Sequence, residues 1–294
     1  MELHFLKIIW GDAIVLKNGD EVALVDTGYD HSFELIKEYL DTLGVKKISL
    51  ILLTHFHRDH YGSIPALLNE YEVGAVCFKE YSGYEARTAT GTPADDEYRQ
   101  SERDKCENMK RLITEKSTLI KAEETESLNF AGYEIKLFNH INTVKAIYDD
   151  ENHPLTYQKI CHGENLNSLA AFIKVNGVNV FLGGDIGDSP SNHPLSTKVN
   201  TRIAQKIGEQ IDVYKVPHHG TSGSNSPEAL AIYKPKIAVI TNRIGYLSEK
   251  STVFADLKAA NPDVRILLTE ISPVVIEITE DGEIEVKRCD DLVI

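Results

Sequence analysis

The chain has 294 residues, with 31 Lys and Arg against 45 Asp and Glu, a formal net charge of −14 and 42% hydrophobic residues. That balance excludes a disordered or membrane-embedded chain, and the length allows one large domain or two small ones, burying about 70–75% of the unfolded surface. With pI near 5.2 the chain has no broad basic field for a phosphate backbone, although bound metal ions would still supply positive charge locally.

In chain order, Leu3 to Trp10, Ala13 to Lys17 and Glu21 to Val25 predict strands, the last two joined at Asn18-Gly19-Asp20. Phe33, Ile36, Leu40 and Leu43 fall at helical spacing before Gly44, so Ser32 to Leu43 is predicted helical. Ile48 to Leu53 is a continuous apolar run that suits a strand buried on both faces. A helix is predicted over Pro65 to Tyr71 and a strand over Ala75 to Phe78. From about 81 to 122 the chain turns polar, and a helix over Glu97 to Leu119 with Tyr81, Tyr84 and Tyr98 nearby predicts an inserted, lid-like segment. A strand at Tyr133 to Phe138 precedes a long loop, about 139–167, of a length usually tied to function. A hairpin follows (Ser168 to Val175, Val178 to Leu182). After it come a helix (Thr197 to Gly208), a strand (Val213 to Val216), a helix (Pro227 to Tyr233), a strand (Ile237 to Thr241), a helix (Thr252 to Ala260) and a terminal β run (Val264 to Val286). Hairpins flanking alternating β and α predict mixed sheets covered by helices in a single domain spanning 1–294.

Cys77, Cys106, Cys161 and Cys289 stand at no CxxC spacing, so neither a disulfide framework nor a thiolate metal site is expected, and a cytoplasmic location is the simplest. Glu2 stands where a signal peptide carries base, and no run reaches the roughly 20 apolar residues of a membrane span.

The chemistry concentrates after the strand Ile48 to Leu53. Thr54-His55-Phe56-His57-Arg58-Asp59-His60 sets three imidazoles and a carboxylate within six residues, in a chain with only 11 histidines, which is a donor set for divalent transition metals. His55 and His57 share one side of an extended segment, and Asp59 and His60 can turn toward a second ion. Two later strands end in ligand-type residues, Gly183-Gly184-Asp185 and Pro217-His218-His219-Gly220.

Asp26-Thr27-Gly28, His55-x-His57-x-Asp59-His60, Gly184-Asp185 and Pro217-His218-His219-Gly220 occur in the order and approximate spacing of the metallo-β-lactamase-fold hydrolases. Gly11-Asp12-Ala13-Ile14, Asn167-Ser168-Leu169 and Val216-Pro217-His218-His219-Gly220-Thr221-Ser222 resemble the branch formed by the hydrolase domain of competence-type DNA-uptake proteins. The likeness leaves out roughly 81–122 and 139–164. It implies an α+β fold, an αββα four-layer sandwich with two mixed sheets face to face and helices outside. It also implies two divalent ions, zinc or manganese, with iron a further candidate. One ion would be held by His55, His57 and Asp185, and the other by Asp59, His60, Asp185 and His218, with Asp59 and Asp185 also the catalytic carboxylates. Asp26, Asn167 and His219 would support the ligands by hydrogen bonding without touching metal, and His218 and His219 are interchangeable in sequence. A histidine that many members carry just before the strand at Ser168 is replaced here by Asn165 and Asn167, which moves the first site toward harder ions such as Mn²⁺; His162 is a nearby loop alternative.

A metal-bound hydroxide acting on a phosphodiester, nucleic acid or nucleotide-like, is the expected reaction, because the ions neutralise phosphate oxygens without a basic groove. Ser222, Asn242 and Arg243 are candidate substrate contacts, and Tyr81, Tyr84, Tyr98, Tyr148 and Tyr157 are candidates to stack on a base. The alternatives are hydrolysis of a lactone, amide or thioester, oxidation of a persulfide at a single iron, and a non-catalytic metal-binding protein that regulates or scaffolds a partner. A small or locally gripped substrate suits the acidic composition best, and a nucleic-acid partner remains compatible with it.

Overall fold

The computed structural model describes residues 1–83, 93–142, 163–188, 198–221 and 225–290. The first sheet takes β1 (Glu2–Phe5), β2 (Ala13–Asn18), β3 (Glu21–Thr27), β4 (Lys47–Leu52), β5 (Glu72–Phe78) and β6 (Thr118–Lys121). The second takes β7 (Ser127–Phe130), β8 (Tyr133–Phe138), β9 (Ala170–Val175), β10 (Val178–Leu182), β11 (Val213–Lys215), β12 (Ile237–Ile240) and β13 (Arg265–Leu268). The chain then returns to the first sheet with β14 (Val274–Ile278) and β15 (Ile284–Arg288). Strand order is β15-β14-β1-β2-β3-β4-β5-β6 in one sheet and β13-β12-β11-β10-β9-β8-β7 in the other. Both sheets run antiparallel up to β3 and β10, then parallel through β4 to β6 and β11 to β13.

Three apolar layers account for the four structural ones. In β3, Ala23 and Val25 face the other sheet while Val22 and Leu24 face the helices at 33–42, 64–70 and 93–116. β4 divides in the same way, Leu50 and Leu52 inward and Ile48 and Ile51 outward, so the period of two fills both faces and the run reads as unbroken apolar sequence. On the second sheet Phe181 and Tyr214 pack against Tyr233 of the 227–233 helix, beneath the layer that also holds the helices at 199–207 and 253–260. The αββα sandwich expected from the sequence is the observed architecture.

Several boundaries differ for local reasons. β1 stops at Phe5, and the chain then turns through Trp10 in a left-handed conformation (φ 61°). The polar helix covers Pro93–Lys116, and Thr118–Lys121 is not its end but β6, pairing parallel to β5. Ile120 packs between the sheets and Leu119 under the helices, so the last turn of the predicted lid belongs to the core. β7 pairs with β8 through Ala131 and Gly132, both at positive φ (50° and 85°), a hairpin whose alanine hides it from turn statistics. The predicted terminal β run divides between the two sheets, and an unpredicted helix covers Ile244–Lys250. Most of the long loop lies outside the described residues, as do Tyr84, Tyr148 and Tyr157.

Candidate metal centre

The ligand-type residues leave the carboxyl ends of the strands at the rim where the two sheets meet, the end at which open α/β sheets place their ligands. Asp26 closes β3, His55 to His60 follow β4, Asp185 follows β10, and His218 and His219 follow β11. Gly184 makes the crossing possible: its φ is +54°, and a Cβ there would stand 2.5 Å from Thr54 Oγ1. Gly184→Ala is therefore expected to push Thr54 off its partners and to weaken metal binding by about 10–100-fold, measured by competition with a chelating dye; unchanged affinity would contradict this packing.

Asp59, His60, Asp185 and His219 bring one ligand atom each within 4.8 Å of one another. Asp185 Oδ2 is the common point, 3.3 Å from His60 Nε2, 3.4 Å from His219 Nε2, 3.9 Å from His55 Nε2 and 4.0 Å from His218 Nε2. Asp59 Oδ2 lies 3.6 Å from His60 Nε2 and 3.5 Å from His219 Nε2. The sequence reading assigns His218 to this group and His219 to a supporting role; the geometry has the rings the other way round. His218 and His219 occupy consecutive left-handed positions (φ 48° and 52°), which separates the two rings. His55 Nε2 and His57 Nδ1 stand 2.9 Å apart on the remaining side, a spacing at which two imidazole nitrogens share either a proton or an ion.

Carboxylate relays fix which nitrogen each buried ring presents. Thr54 Oγ1 donates its only proton to Asp26 Oδ2 (2.8 Å), so toward His55 Nδ1, 3.1 Å away, it accepts. Asp26 Oδ2 also takes the Nδ1 proton of His60 at 2.8 Å, and Thr54 N donates to Asp26 Oδ1 at 2.8 Å. Thr241 repeats the arrangement, donating to Asp12 Oδ1 (2.7 Å) and accepting from His219 Nδ1 (2.9 Å). His55, His60 and His219 thus keep Nδ1 protonated and turn Nε2 inward, the form in which imidazole binds metal. Asp12, Thr54 and Thr241 were not singled out as site residues from the sequence; Gly11-Asp12 and Thr241 adjoin the motifs but carry no ligand spacing of their own.

The electrostatics call for a cation. Burial pulls the His60 pKa down, but Asp185, Asp26 and Asp59 outweigh it and raise it well above the ordinary histidine value. Burial acts likewise on His219, where Asp185 and Asp12 prevail and push the value up to about 10. His55, dominated by burial and then by His60 and His57, falls well below the ordinary value. His60 Nε2, His219 Nε2 and Asp185 Oδ1 are buried with no hydrogen-bond partner among the described residues. Without an ion, a proton on each of these two rings offsets the carboxylates; once Nε2 gives up that proton its lone pair faces carboxylate oxygens and a positive charge is needed between them, so this donor set fits a divalent cation. Lys215, fully buried, ion-pairs with Asp12 Oδ2, donates to Gly184 O at 3.2 Å and lies 3.9 Å from Asp185 Oδ1.

Other predicted residues fall elsewhere. Asn167 does not approach the ligands: its Oδ1 accepts from Lys79 Nζ (3.1 Å) and its Nδ2 donates to Glu164 Oε1 (3.3 Å), in a buried network below the site. Asn242 is buried and donates to His219 O at 2.9 Å, which braces the His218-His219 turn, while Arg243 is exposed. Neither lines the cavity over the centre, and Ser222 and His162 lie outside the described residues. That cavity, about 760 Å³, has His57, Asp59, Asp185, Asn165 and His218 on its floor. Its walls are Tyr29 and Arg58 on one side and Tyr98, Ser101, Glu102 and Lys105 of the 93–116 helix on the other. Arg58 pairs with Asp30 at 2.8 Å and Lys105 with Glu102 at 2.6 Å.

Residues 11–240 match the Metallo-beta-lactamase superfamily, and the chain belongs to it. Members of that superfamily are in general hydrolytic enzymes that bind divalent metals. The chain is similar to ComE operon protein 3 of Bacillus subtilis (strain 168), 22% identical over 206 residues, which are 69% of this chain and 21%, about a fifth, of that protein. The metallo-beta-lactamase fold protein YhfI from Bacillus subtilis shares the fold with a TM-score of 0.51 at 13% identity, covering 94% of this chain and 100% of its own. The CmlA beta-hydroxylase E377D mutant does so with a TM-score of 0.53 at 11% identity, covering 92% of this chain and 53% of its own. The resemblance read from the motifs is borne out in family and fold. No described helix is long and apolar enough to cross a membrane.

Proposed function

We propose that the chain is a metal-dependent hydrolase of a small phosphodiester and uses two divalent ions, zinc or manganese. His55, His57 and Asp185 would hold one ion, and Asp59, His60, Asp185 and His219 the other. When bound, such ions supply Lewis acidity and a water of lowered pKa. The relays from Asp26 and Asp12 hold the Nδ1 protons of His60 and His219, so these rings cannot turn away or change tautomer as charge develops over Asp59 and Asp185.

The cavity carries this reading. Its volume of about 760 Å³ suits a nucleotide-sized ligand rather than a long strand, and Arg58 and Lys105, which a phosphate would have to draw from Asp30 and Glu102, stand on its walls beside two tyrosine rings. Burial and Asp59 raise the Tyr29 hydroxyl to about 12, so it stays protonated and donates to Trp10 O at 2.5 Å, which leaves its ring as a flat wall. A neutral lactone, amide or thioester would make no use of the two cations. That CmlA, a beta-hydroxylase, shares the fold means the reaction rests on the site and not on the architecture.

Turnover of bis(p-nitrophenyl) phosphate, nitrocefin and a lactone with Mn²⁺ and with Zn²⁺ tests the reading. Hydrolysis of the phosphodiester alone supports it. Metal binding without any turnover would sink it in favour of a non-catalytic role. Tyr98→Ala and Lys105→Ala are each expected to raise KM for a dinucleotide about 3–10-fold with kcat little changed, since both touch the substrate away from the reacting centre; a loss confined to kcat would overturn that placement.

A further inference from the structure

The His55-His57 side has fewer ligands in reach than the compact group around Asp59, and the neighbouring geometry supplies more. Asn165 is nine-tenths buried on the cavity floor, and its Oδ1 has no hydrogen-bond partner among the described residues. Its Nδ2 lies 3.2 Å from His218 Nε2, which in turn is 4.0 Å from Asp185 Oδ2; a half-turn of the amide about Cβ–Cγ exchanges Nδ2 for Oδ1 at that place and frees the His218 Nε2 lone pair. Ligand atoms about 2.0–2.2 Å from one ion stand roughly 3–4 Å apart, the range of these spacings and of the 2.9 Å and 3.9 Å separations from His55 Nε2 to His57 Nδ1 and to Asp185 Oδ2.

Asn165 is also held rigidly. The short helix that carries it, Gly163–Leu166, is fastened on both sides. Glu164, with no exposed surface, accepts from Ser82 N at 3.1 Å and from Asn167. Asn139 Nδ2 donates to Leu166 O and to Ser168 O at 2.9 Å each, and Leu169 N donates to Thr54 O at 2.7 Å, which ties the segment to the strand end that carries His55. Preorganisation of this kind is what a ligand position needs.

We propose that Asn165, through its amide oxygen, and His218, through Nε2, complete the first ion's site together with His55, His57 and Asp185, so that the His218-His219 pair serves both ions, one ring each. The assignment rests on the two-ion reading above but not on the reaction. An amide oxygen in place of an imidazole makes this site harder and weaker than the same site with a histidine at position 165, which shifts its preference from Zn²⁺ toward Mn²⁺.

Metal stoichiometry tests it without reference to turnover. The purified chain is stripped, reloaded with Mn²⁺ and read by native mass spectrometry and by electron paramagnetic resonance, in which two adjacent Mn²⁺ ions give a spin-coupled spectrum. Wild type is expected to hold two ions with coupling. Asn165→Leu and His218→Gln are each expected to hold one ion with an uncoupled spectrum, the ion at Asp59, His60, Asp185 and His219 being retained. Asn165→His is expected to bind two ions and to tighten the second Zn²⁺ by about tenfold or more, and this variant stays informative if a loss variant folds poorly. Two coupled ions with unchanged affinity in Asn165→Leu and His218→Gln would overturn the proposal, as would a wild type that holds a single ion at saturating Mn²⁺. Loss of one ion in these variants, from a wild type that cleaves no phosphodiester, would uphold the ligand assignment while the hydrolase reading fails.

Discussion

Asp185→Asn is expected to lower phosphodiester turnover by about 10³-fold and to leave the protein largely without metal, while far-UV circular dichroism stays that of the folded chain. One oxygen of this carboxylate lies within 3.3–4.0 Å of four imidazole nitrogens. An amide in its place removes the charge that both ions would share, and breaking a buried ionic arrangement by one partner costs about 3–5 kcal/mol. The fold should survive because Asp185 N, which donates to Ser168 Oγ at 3.2 Å, keeps its bond in the variant. A pH dependence accompanies this in metal-stripped protein. His60 is raised well above its ordinary value and His219 to about 10, so folding takes up protons at both rings. Their contribution to stability is fully present below the unfolded histidine pKa, about 6.5, and is lost as pH rises through the folded values. Urea unfolding of the stripped wild type between pH 6 and 10 should therefore show falling stability, and Asp185→Asn a shallower fall. Wild-type metal content and rate in the variant, or equal slopes, would contradict the assignment.

Lys215→Met is expected to destabilise the chain by about 3–5 kcal/mol, or on the order of 10 °C in Tm, because the methionine fills the space but leaves the Asp12 carboxylate buried without its cation. Burial alone would raise the Asp12 pKa; Lys215 first, then His219 and His60, more than offset this and hold it well below the carboxylate range. A depressed carboxylate contributes stability that is fully present above its unfolded pKa, near 4, and is lost as pH falls toward the folded value. Without Lys215 that acid limb should begin at higher pH, which equilibrium unfolding between pH 3 and 7 would read. Since Asp12 holds His219 through Thr241, metal affinity should fall in the same variant. A Tm within a degree or two of wild type would mean that the buried ammonium is not what neutralises Asp12.

The periodicities carried the fold a long way. β4 and β10 read as apolar runs because both of their faces are covered, and the hairpins at Asn18-Gly19 and Asn176-Gly177 were legible from turn chemistry. β6 and β7 were not, since four residues at a sheet edge hold less than one clear alternation, and their pairing partners lie in β5 and β8.

The site divides along the same line. Residue type and spacing determined that ligand-type side chains gather after β4, β10 and β11, because a chain places imidazoles and carboxylates at strand ends by local geometry. Only the tertiary structure decided how they are used. That His219 and not His218 faces Asp59 and His60 depends on two consecutive left-handed residues, a backbone state that nothing in Pro-His-His-Gly announces. That Asn165 and not Asn167 reaches the cavity depends on Lys79 and Glu164 claiming the other amide. That Asp12 and Thr241 hold His219 depends on a hydrogen bond between residues 229 positions apart. Such choices turn on which groups satisfy one another once water is excluded, and that is settled by packing between the two sheets rather than by any local stretch of sequence.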